Sequence, residues 1–344
     1  MKTILTICFA FMLSSAYAQQ TEQTLVRVQY NFIHIQDTTQ RDKPHVENMM
    51  LLAGKNASVY MSYDRVADFV HSQVERQEYL KKGFTNEEIN DQFRAKPTSN
   101  KTISYIELYF FAKEHKYYYK SDICINGCMV QAETDKIDWK IKKDTLSFSA
   151  IRCQMATANY KGRNWIAWFA PELPFQSGPW KLQGLPGLII EAYDTKKEVQ
   201  FKFAGIEKVK EGDLVNENAK NISPDFMKIF GDIMLGLKID HVGLPQQREV
   251  RSGGSIQVTE KEFEKLKAEN DKDPQAFRDA QLIANGMGAI VTARANGGMR
   301  GSAGGGRIDA NGNAVVSQTI TTKAPTPAVP KNVINNPIEL PEKK

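Results

Sequence analysis

From Leu25 to Val209, apolar and polar positions alternate with the period of two that sends successive side chains to opposite faces of a strand. Val26, Val28, Tyr30 and Phe32 follow this period; Ile33 and Ile35 then shift the apolar face, which predicts a bulge or a strand covered on both sides. Residues 49–52 and 58–64 flank Gly54-Lys55-Asn56 and read as a hairpin. Further strands are expected at 103–111, 117–123, 129–133, 137–142, 145–148, 151–159 and 198–204. Their connections are brief, whereas parallel neighbours need long crossovers, so the strands are expected to form an antiparallel meander.

The pattern is most specific between Trp165 and Asp194. Trp165 to Ala170 is apolar and aromatic, and Pro171 and Pro174 then remove two backbone donors, which confines this piece to a strand end or edge. In Gly184-Leu185-Pro186-Gly187-Leu188-Ile189, Pro186 presets φ for the second position of a turn. Gly187 tolerates the positive φ that a type II turn needs at its third, so Leu185 to Leu188 is expected to be a tight reversal. A strand at 188–194 then places Leu188, Ile190 and Ala192 on one face and Ile189, Glu191 and Tyr193 on the other.

Helical spacing appears in two regions. Between 65 and 95, Asp64 reads as a cap, Val66, Phe69 and Val70 lie on one side, and Thr85 to Glu88 forms a capping box before Ile89 and Phe93. Beyond Gly212, Ser223-Pro224-Asp225 opens a helix with Phe226, Ile229, Phe230, Ile233 and Met234 on one face. Thr259 to Glu262 is a second capping box, and Asp273-Pro274 opens a helix that Asn285-Gly286 closes. Residues 286–313 are glycine-rich and 323–330 proline-rich, which predicts extended, flexible chain. The expected organisation is a leader at 1–18, an antiparallel β domain at 19–210 with the helical insertion 65–95, a helical extension at 211–285, a flexible Gly/Pro-rich segment at 286–330 and a C-terminal tail at 331–344. The fold class expected is mainly β, a β-rich α+β protein built on a curved antiparallel sheet or half-barrel. By analogy of fold alone it is compared with the half-barrels of periplasmic lipoprotein carriers. Such a sheet buries one aromatic-rich face and leaves a groove for an apolar ligand.

The run IAWFAPELPFQSGPWKLQGLPGLIIEAYD, residues 166–194, closely resembles the signature of the secreted bacterial GLPGLI family. The resemblance extends upstream through Ile137 to Ile141, Cys153 to Thr157 and Gly162-Arg163, and downstream to Asn336-Pro337-Ile338-Glu339-Leu340. It implies secretion and a shared fold; the family has no established activity, so no catalytic residue carries over.

Export is also read from the residues. Lys2, an apolar run from Ile4 to Leu13 and Ala16-Tyr17-Ala18 make a leader with a small-x-small cleavage site, and the mature chain is expected to start near Gln19. The run is shorter than the roughly 20 residues a membrane span needs, and Cys8 lacks the small neighbours of a lipid-modified cysteine. No later stretch reads as transmembrane, so the product is expected in the periplasm, associated with the outer membrane, or outside the cell. The net charge of +5 falls to +4 without Lys2 and is interleaved with acids, which argues against nucleic acid as a partner.

Three cysteines survive processing. An oxidising compartment favours one disulfide and one thiol. Asn126-Gly127 is a two-residue hairpin signal that would pair Ile125 with Cys128 and point Cys124 to the other face. Two arrangements follow: a distorted loop closed by Cys124 and Cys128, which chain proximity favours, or a regular hairpin with one of the pair bonded to Cys153.

Candidate chemistry is sparse. Cys124, Cys128 and Met129 with Cys153 and Met155 offer soft ligands to copper or zinc, but a disulfide with core methionines explains the same residues. His34, His45, His71, His115 and His241 are scattered, and no metal or other cofactor is expected. Residues 309–313 miss the spacing of a calcium loop, and the arginines 294, 300 and 307 amid glycines read as solvated linker. No Gly-x-Ser-x-Gly elbow or His-Glu-x-x-His helix is present. Glu191 and Asp194 lie three apart on one strand and face opposite sides, which reads as surface charge. No catalytic residue is assigned. The reading is a non-enzymatic exported binding or accessory module at the envelope, with an apolar ligand, a peptide or an outer-membrane protein such as a transporter as partner. The candidate groove is Trp165, Trp168 and Tyr193, beside the signature turn. A metal-handling protein using Cys, Met and His, and an unrecognised hydrolase, are the alternatives.

Overall fold

The structure is a computed structural model that describes residues 22–96, 103–104, 107–121, 123–125, 127–210, 256–287 and 334–341, with the isolated positions 218, 238–239, 291, 307–308 and 314–315. The leader, the helix expected from Ser223, and most of the glycine- and proline-rich stretch, including Arg294, Arg300 and residues 309–313, lie outside the described residues.

The chain begins with β1 (Val26–His34), β2 (His45–Ala53) and β3 (Ala57–Ser62), followed by α1 (Tyr63–Lys81) and α2 (Asn86–Ala95). β4 (Glu107–Phe111), β5 (Lys116–Ser121) and β6 (Cys128–Glu133) complete the first half. β7 (Lys140–Phe148), β8 (Ile151–Tyr160), β9 (Arg163–Ala170), β10 (Leu188–Asp194) and β11 (Val199–Lys208) form the second, and β12 (Ile256–Thr259) leads into α3 (Glu260–Lys272) and α4 (Pro274–Ala284). These twelve strands form one sheet, in the order β12-β6-β5-β4-β3-β2-β1-β11-β10-β9-β8-β7; among the described residues two further two-stranded pairs, Glu22–Gln23 with Lys238–Ile239 and Arg307–Ile308 with Ala314–Val315, lie outside it. Every neighbouring pair is antiparallel except β12 with β6, which is parallel; the expected meander runs from β1 to β6 and from β7 to β11, but β6 and β7 are not neighbours and β11 pairs with β1 instead.

This sheet cannot be flat. β6 and β7 lie ten strand spacings apart, about 48 Å in a flat sheet. The chain joins them through residues 134–139 alone, a reach of at most about 25 Å. The sheet therefore rolls toward itself, and Tyr60 on β3 meets Phe201 on β11, three strands away, with ring centroids 6.1 Å apart. It is the curved half-barrel expected from the pattern, and it does not close into a barrel.

Two apolar layers follow from the alternation. Val26, Val28, Tyr30 and Phe32 point into the concave face with Leu51, Tyr60, Trp165, Phe169 and Phe201, all buried. Met50, Leu52, Val59, Met61 and Tyr109 point outward and are covered by Val66 and Val70 of α1. β1 buries its inward positions, while outward Asn31 is exposed and Gln29 and Ile33 are half-buried; its register against β2 is unbroken, so Ile33 marks no bulge there, and the irregularity falls on β11, between Phe203 and Gly205. The expected strands 137–142 and 145–148 are one strand, β7, interrupted by a register shift between Ile141 and Thr145.

Helix termini mostly follow the sequence signals. Thr85 with Glu88 and Thr259 with Glu262 form reciprocal capping boxes, and Asp273 caps α4 ahead of Pro274. At α1 the cap is Ser62, whose hydroxyl accepts from Arg65 N; Asp64 instead accepts from Asn48 N and Nδ2 at 2.8 and 2.9 Å, tying the helix to β2. α3 lays Phe263 and Leu266 on Val130 and on the Cys124–Cys128 disulfide, whose Cα atoms are 5.5 Å apart. The short-loop alternative is the one formed; Cys153 is free and buried. Gln281 of α4 seals the loop by accepting from Ile125 N at 2.8 Å and donating to Ile123 O.

Candidate functional site

The signature hexapeptide is not a hydrogen-bonded reversal. Residues 185–187 form a bend, Leu188 N donates to Leu173 O and Ile189 N to Ser177 O, both at 3.0 Å. Gly184, not Gly187, carries the positive φ, at 90°. Gly187 is required for another reason: a Cβ there would run into the backbone of Ala170 and Pro171. The type II turn is therefore replaced by close packing of this segment on the end of β9. Leu185, Leu188, Ile189 and Ile190 are all buried in the concave core, and Tyr30 Oη donates to Ile189 O at 2.7 Å.

The expected groove does not assemble. Trp165 points inward, 1% exposed, stacked on Phe201 and donating to Tyr160 O at 3.0 Å. Trp168 is opposite Glu191, and Tyr193 opposite Ile166, on the other face of the ribbon. An odd spacing of three on one strand separates Trp165 from Trp168. Glu191 and Asp194 are also apart, and neither is free surface charge. Glu191 accepts from Phe203 N at 3.1 Å where the β10–β11 ladder has ended, and Asp194 is 2% exposed.

What the fold does bring together is the open end of the half-barrel. Tyr60 of β3, Leu108 and Phe110 of β4 and Tyr117 of β5 face Tyr160 at the end of β8 across a depression of about 420 Å³ counted to its open mouth. Trp180, Lys181 and Gln183, from the segment between β9 and β10, and Asp135 of the β6–β7 link form the rim. These two segments clasp each other: Trp139 Nε1 donates to Gln183 O at 2.9 Å and Gln183 Nε2 to Asp135 O at 3.1 Å. Trp180 holds φ at 54°, a region bulky residues avoid, and its indole lies against Trp165 and Tyr160 with centroids 5.8 and 5.9 Å away.

Two lysines at and beside the mouth are already paired. Lys161 pairs with Asp135 at 2.7 Å, and Lys181 pairs with Glu339 at 2.7 Å while lying 5.1 Å from the Tyr117 ring centroid. Burial, reinforced by nearby carboxylates, pushes the phenols of Tyr117, Tyr119 and Tyr160 well above their ordinary value. They stay protonated at neutral pH and offer hydroxyls, not bases.

Beside the mouth runs a strap, residues 334–341, and Arg163 holds it. Arg163 is an inward position on β9 with its side chain 1% exposed. Nε donates to Ile338 O at 2.8 Å, and Nη2 to Asn336 Oδ1 and Pro337 O at 2.7 Å each. Nη1 reaches Asp194 Oδ2 at 2.6 Å and Glu198 Oε2 at 3.3 Å. Asp194 Oδ1 in turn accepts from Glu198 N and Val199 N, which shapes the β10–β11 turn. His34 lies 2.7 Å from Asn336 O; a carbonyl only accepts, so Nε2 carries the hydrogen. Burial lowers the His34 pKa, the Asn336 carbonyl opposes that, and nearby Arg163 adds to it. His34 and His45, far apart in the period-two reading, are cross-strand partners.

Two further buried carboxylates serve the framework. Burial alone would raise Glu47, but hydrogen bonds from His45, Ser62 and Ser104 outweigh it and hold the group below its usual range. At Glu107, on the convex face, Lys120 and Arg65 do the same. Among the described residues no three His, Cys, Asp or Glu side chains are grouped to hold a metal ion. Cys124 and Cys128 are consumed by their disulfide, Met129 packs under α1, and burial pushes the Cys153 thiol up to about 11.

Tyr60, Tyr117, Tyr160, Trp180 and Lys181 were not among the residues the sequence singled out as a site. A signal existed for Trp180, an aromatic outside any strand and next to a proline. Another existed for Arg163, a charge at an inward-facing register.

A family model described as a protein of unknown function, Porph_ging, matches residues 120–191, from the end of β5 into β10. This stretch holds the disulfide loop, both rim segments and the hexapeptide. No curated protein matches the chain. Two solved structures of PNGF-II, in space groups P21 and C2, are each 7% identical with a TM-score of 0.40, and 71% of this chain is covered in both. The chain spans about a third of their length, 33% and 32%.

Proposed function

We propose that this chain is a non-enzymatic binding module of the GLPGLI family, exported to the cell envelope, whose ligand-contacting surface is the aromatic mouth of the half-barrel. One observation carries the reading: inward-facing rings from both halves of the sheet converge on a single open depression, with lysine and carboxamide groups at its rim. The depression is shallow and open to solvent, so a ligand engages the rim and sends only a small group inside. The paired lysines and protonated phenols suit recognition by stacking and hydrogen bonding, and a proton-transfer base is not among them. Export is supported by the leader pattern at 1–18 and by the Cys124–Cys128 disulfide, which belongs to an oxidising compartment. Among the described residues no helix is long and apolar enough to cross a membrane, and the partner envisaged at the envelope is an apolar ligand, a peptide or an outer-membrane protein.

The test is ligand retention by the purified protein, with tryptophan emission recorded during titration with envelope lipid extract, envelope peptides and the neutral apolar probe N-phenyl-1-naphthylamine. A retained ligand whose affinity falls at least tenfold in Trp180→Ala and Tyr117→Ala, with melting otherwise preserved, is the expected result. Nothing retained, or variants that bind as the parent does, overturns the proposal.

A further inference from the structure

The strap has two unequal halves. Residues 335–338 are held by a dense set of bonds centred on buried Asn336: Arg163 holds Asn336, Pro337 and Ile338, Asn335 N and Asn336 N donate to Gln36 O, and Asn336 Nδ2 donates to Ile35 O. Glu339 and Leu340 instead rest on the rim of the mouth. Glu339, its side chain 43% exposed, reaches Lys181, whose side chain is only 14% exposed. Leu340 N donates to Lys161 O at 3.0 Å, and its backbone and Cβ fill the space a side chain at Gly162 would take.

The seat thus consists of a sheltered lysine on a tyrosine ring, an adjacent backbone carbonyl aimed outward, and a side-chain-free notch. It accepts an aliphatic–acid–aliphatic sequence, Ile338-Glu339-Leu340, with the backbone bent at Ile338 and Glu339. The exposed carboxylate is the replaceable part: it stands open to solvent at the rim, whereas the buried anchor before it, Asn336 on Arg163, keeps the strap attached. We propose, resting on the binding reading above, that the mouth recognises a peptide segment carrying a carboxylate flanked by aliphatic side chains, bent as the strap is, and that Glu339 holds the carboxylate position until such a segment displaces it. Lys181 is the specificity-determining residue, and the strap is an internal competitor.

The test uses the full chain and Glu339→Gln, each titrated with the capped peptide Asn-Pro-Ile-Glu-Leu-Pro and with its glutamine counterpart, following tryptophan emission. Glu339→Gln is expected to bind the glutamate peptide at least fivefold more tightly than the parent does, and at least fivefold more tightly than it binds the glutamine peptide. Adding Lys181→Met to Glu339→Gln is expected to abolish both differences, with melting temperatures unchanged within a few degrees. Equal affinities across these pairings, or no peptide binding by Glu339→Gln, overturns the inference. If N-phenyl-1-naphthylamine still binds in a Trp180-dependent way, the binding module stands and only its peptide preference falls; if neither probe binds, both fall.

Discussion

At Gly187 an added Cβ would meet the carbonyl group of Ala170, while at Gly184 nothing lies within reach and the constraint is the positive φ alone. Asparagine enters that backbone region more readily than other side chains, so Gly184→Asn is expected to cost only about 1 kcal/mol. Gly187→Asn must displace main chain and is expected to cost at least the upper part of the overpacking range of about 1–3 kcal/mol. Urea midpoints in which Gly184→Asn is the more damaging change would contradict this assignment. Arg163→Ala would leave Asp194 and Glu198 without their buried partner and release the strap, an expected loss of about 3–5 kcal/mol in equilibrium denaturation. His34 adds a pH dependence whose sign can be worked through. Its pKa in the fold lies below the unfolded value of 6.5, so protons favour the unfolded chain. The contribution is complete above about pH 6.5 and is lost as pH falls from there through the folded value. Stability measured at pH 7.5 and 5.5 is expected to drop for the parent and to drop less for His34→Gln; equal drops would sink the idea.

Among the elements, the Cys124–Cys128 loop and the strap work by different physics. The disulfide closes a loop of only a few residues, so its chain-entropy contribution is about 2 kcal/mol. It also presents Ile123 O and Ile125 N to Gln281, so breaking it unseats α4 locally. Replacing both cysteines by serine is expected to lower stability by about that amount and to raise hydrogen exchange in α3 and α4, with β9 and β10 unaffected. Exchange that rises uniformly across the sheet would refute such local coupling. The hairpin pairing Ile125 with Cys128 was a sound reading of Asn126-Gly127 in isolation. Cross-linking and the helix pair laid over the loop chose the other arrangement, and neither is visible in six residues.

For the whole molecule, curvature decides where protection is greatest. β1 sits in the middle of the sheet, paired on both edges and buried along its inward face, whereas β7 is an edge strand exposed along nearly its whole length. Lys140, Lys142 and Lys143 and the register shift on β7 are devices that keep an edge from pairing further. Amides of β1 are expected to exchange only on global unfolding and those of β7 at least a hundredfold faster, as hydrogen-exchange mass spectrometry would resolve. The alternation in residues 25–209 determined most of the strands and their antiparallel sense, and the capping words at Thr85, Thr259 and Asp273 set three helix starts, because period and capping are local properties of consecutive residues. So was the importance of Gly162-Arg163 and Asn336 to Leu340 as marks of resemblance, though not that they touch. The groove of Trp165, Trp168 and Tyr193 failed because pleating sends positions three apart to opposite faces. The mouth, the buried Arg163 anchor and the seat of Glu339 on Lys181 arise only when a six-residue link bends the sheet and brings residues more than 150 positions apart into contact. Distances of that kind are set by closure of the fold, and no stretch of sequence carries them by itself.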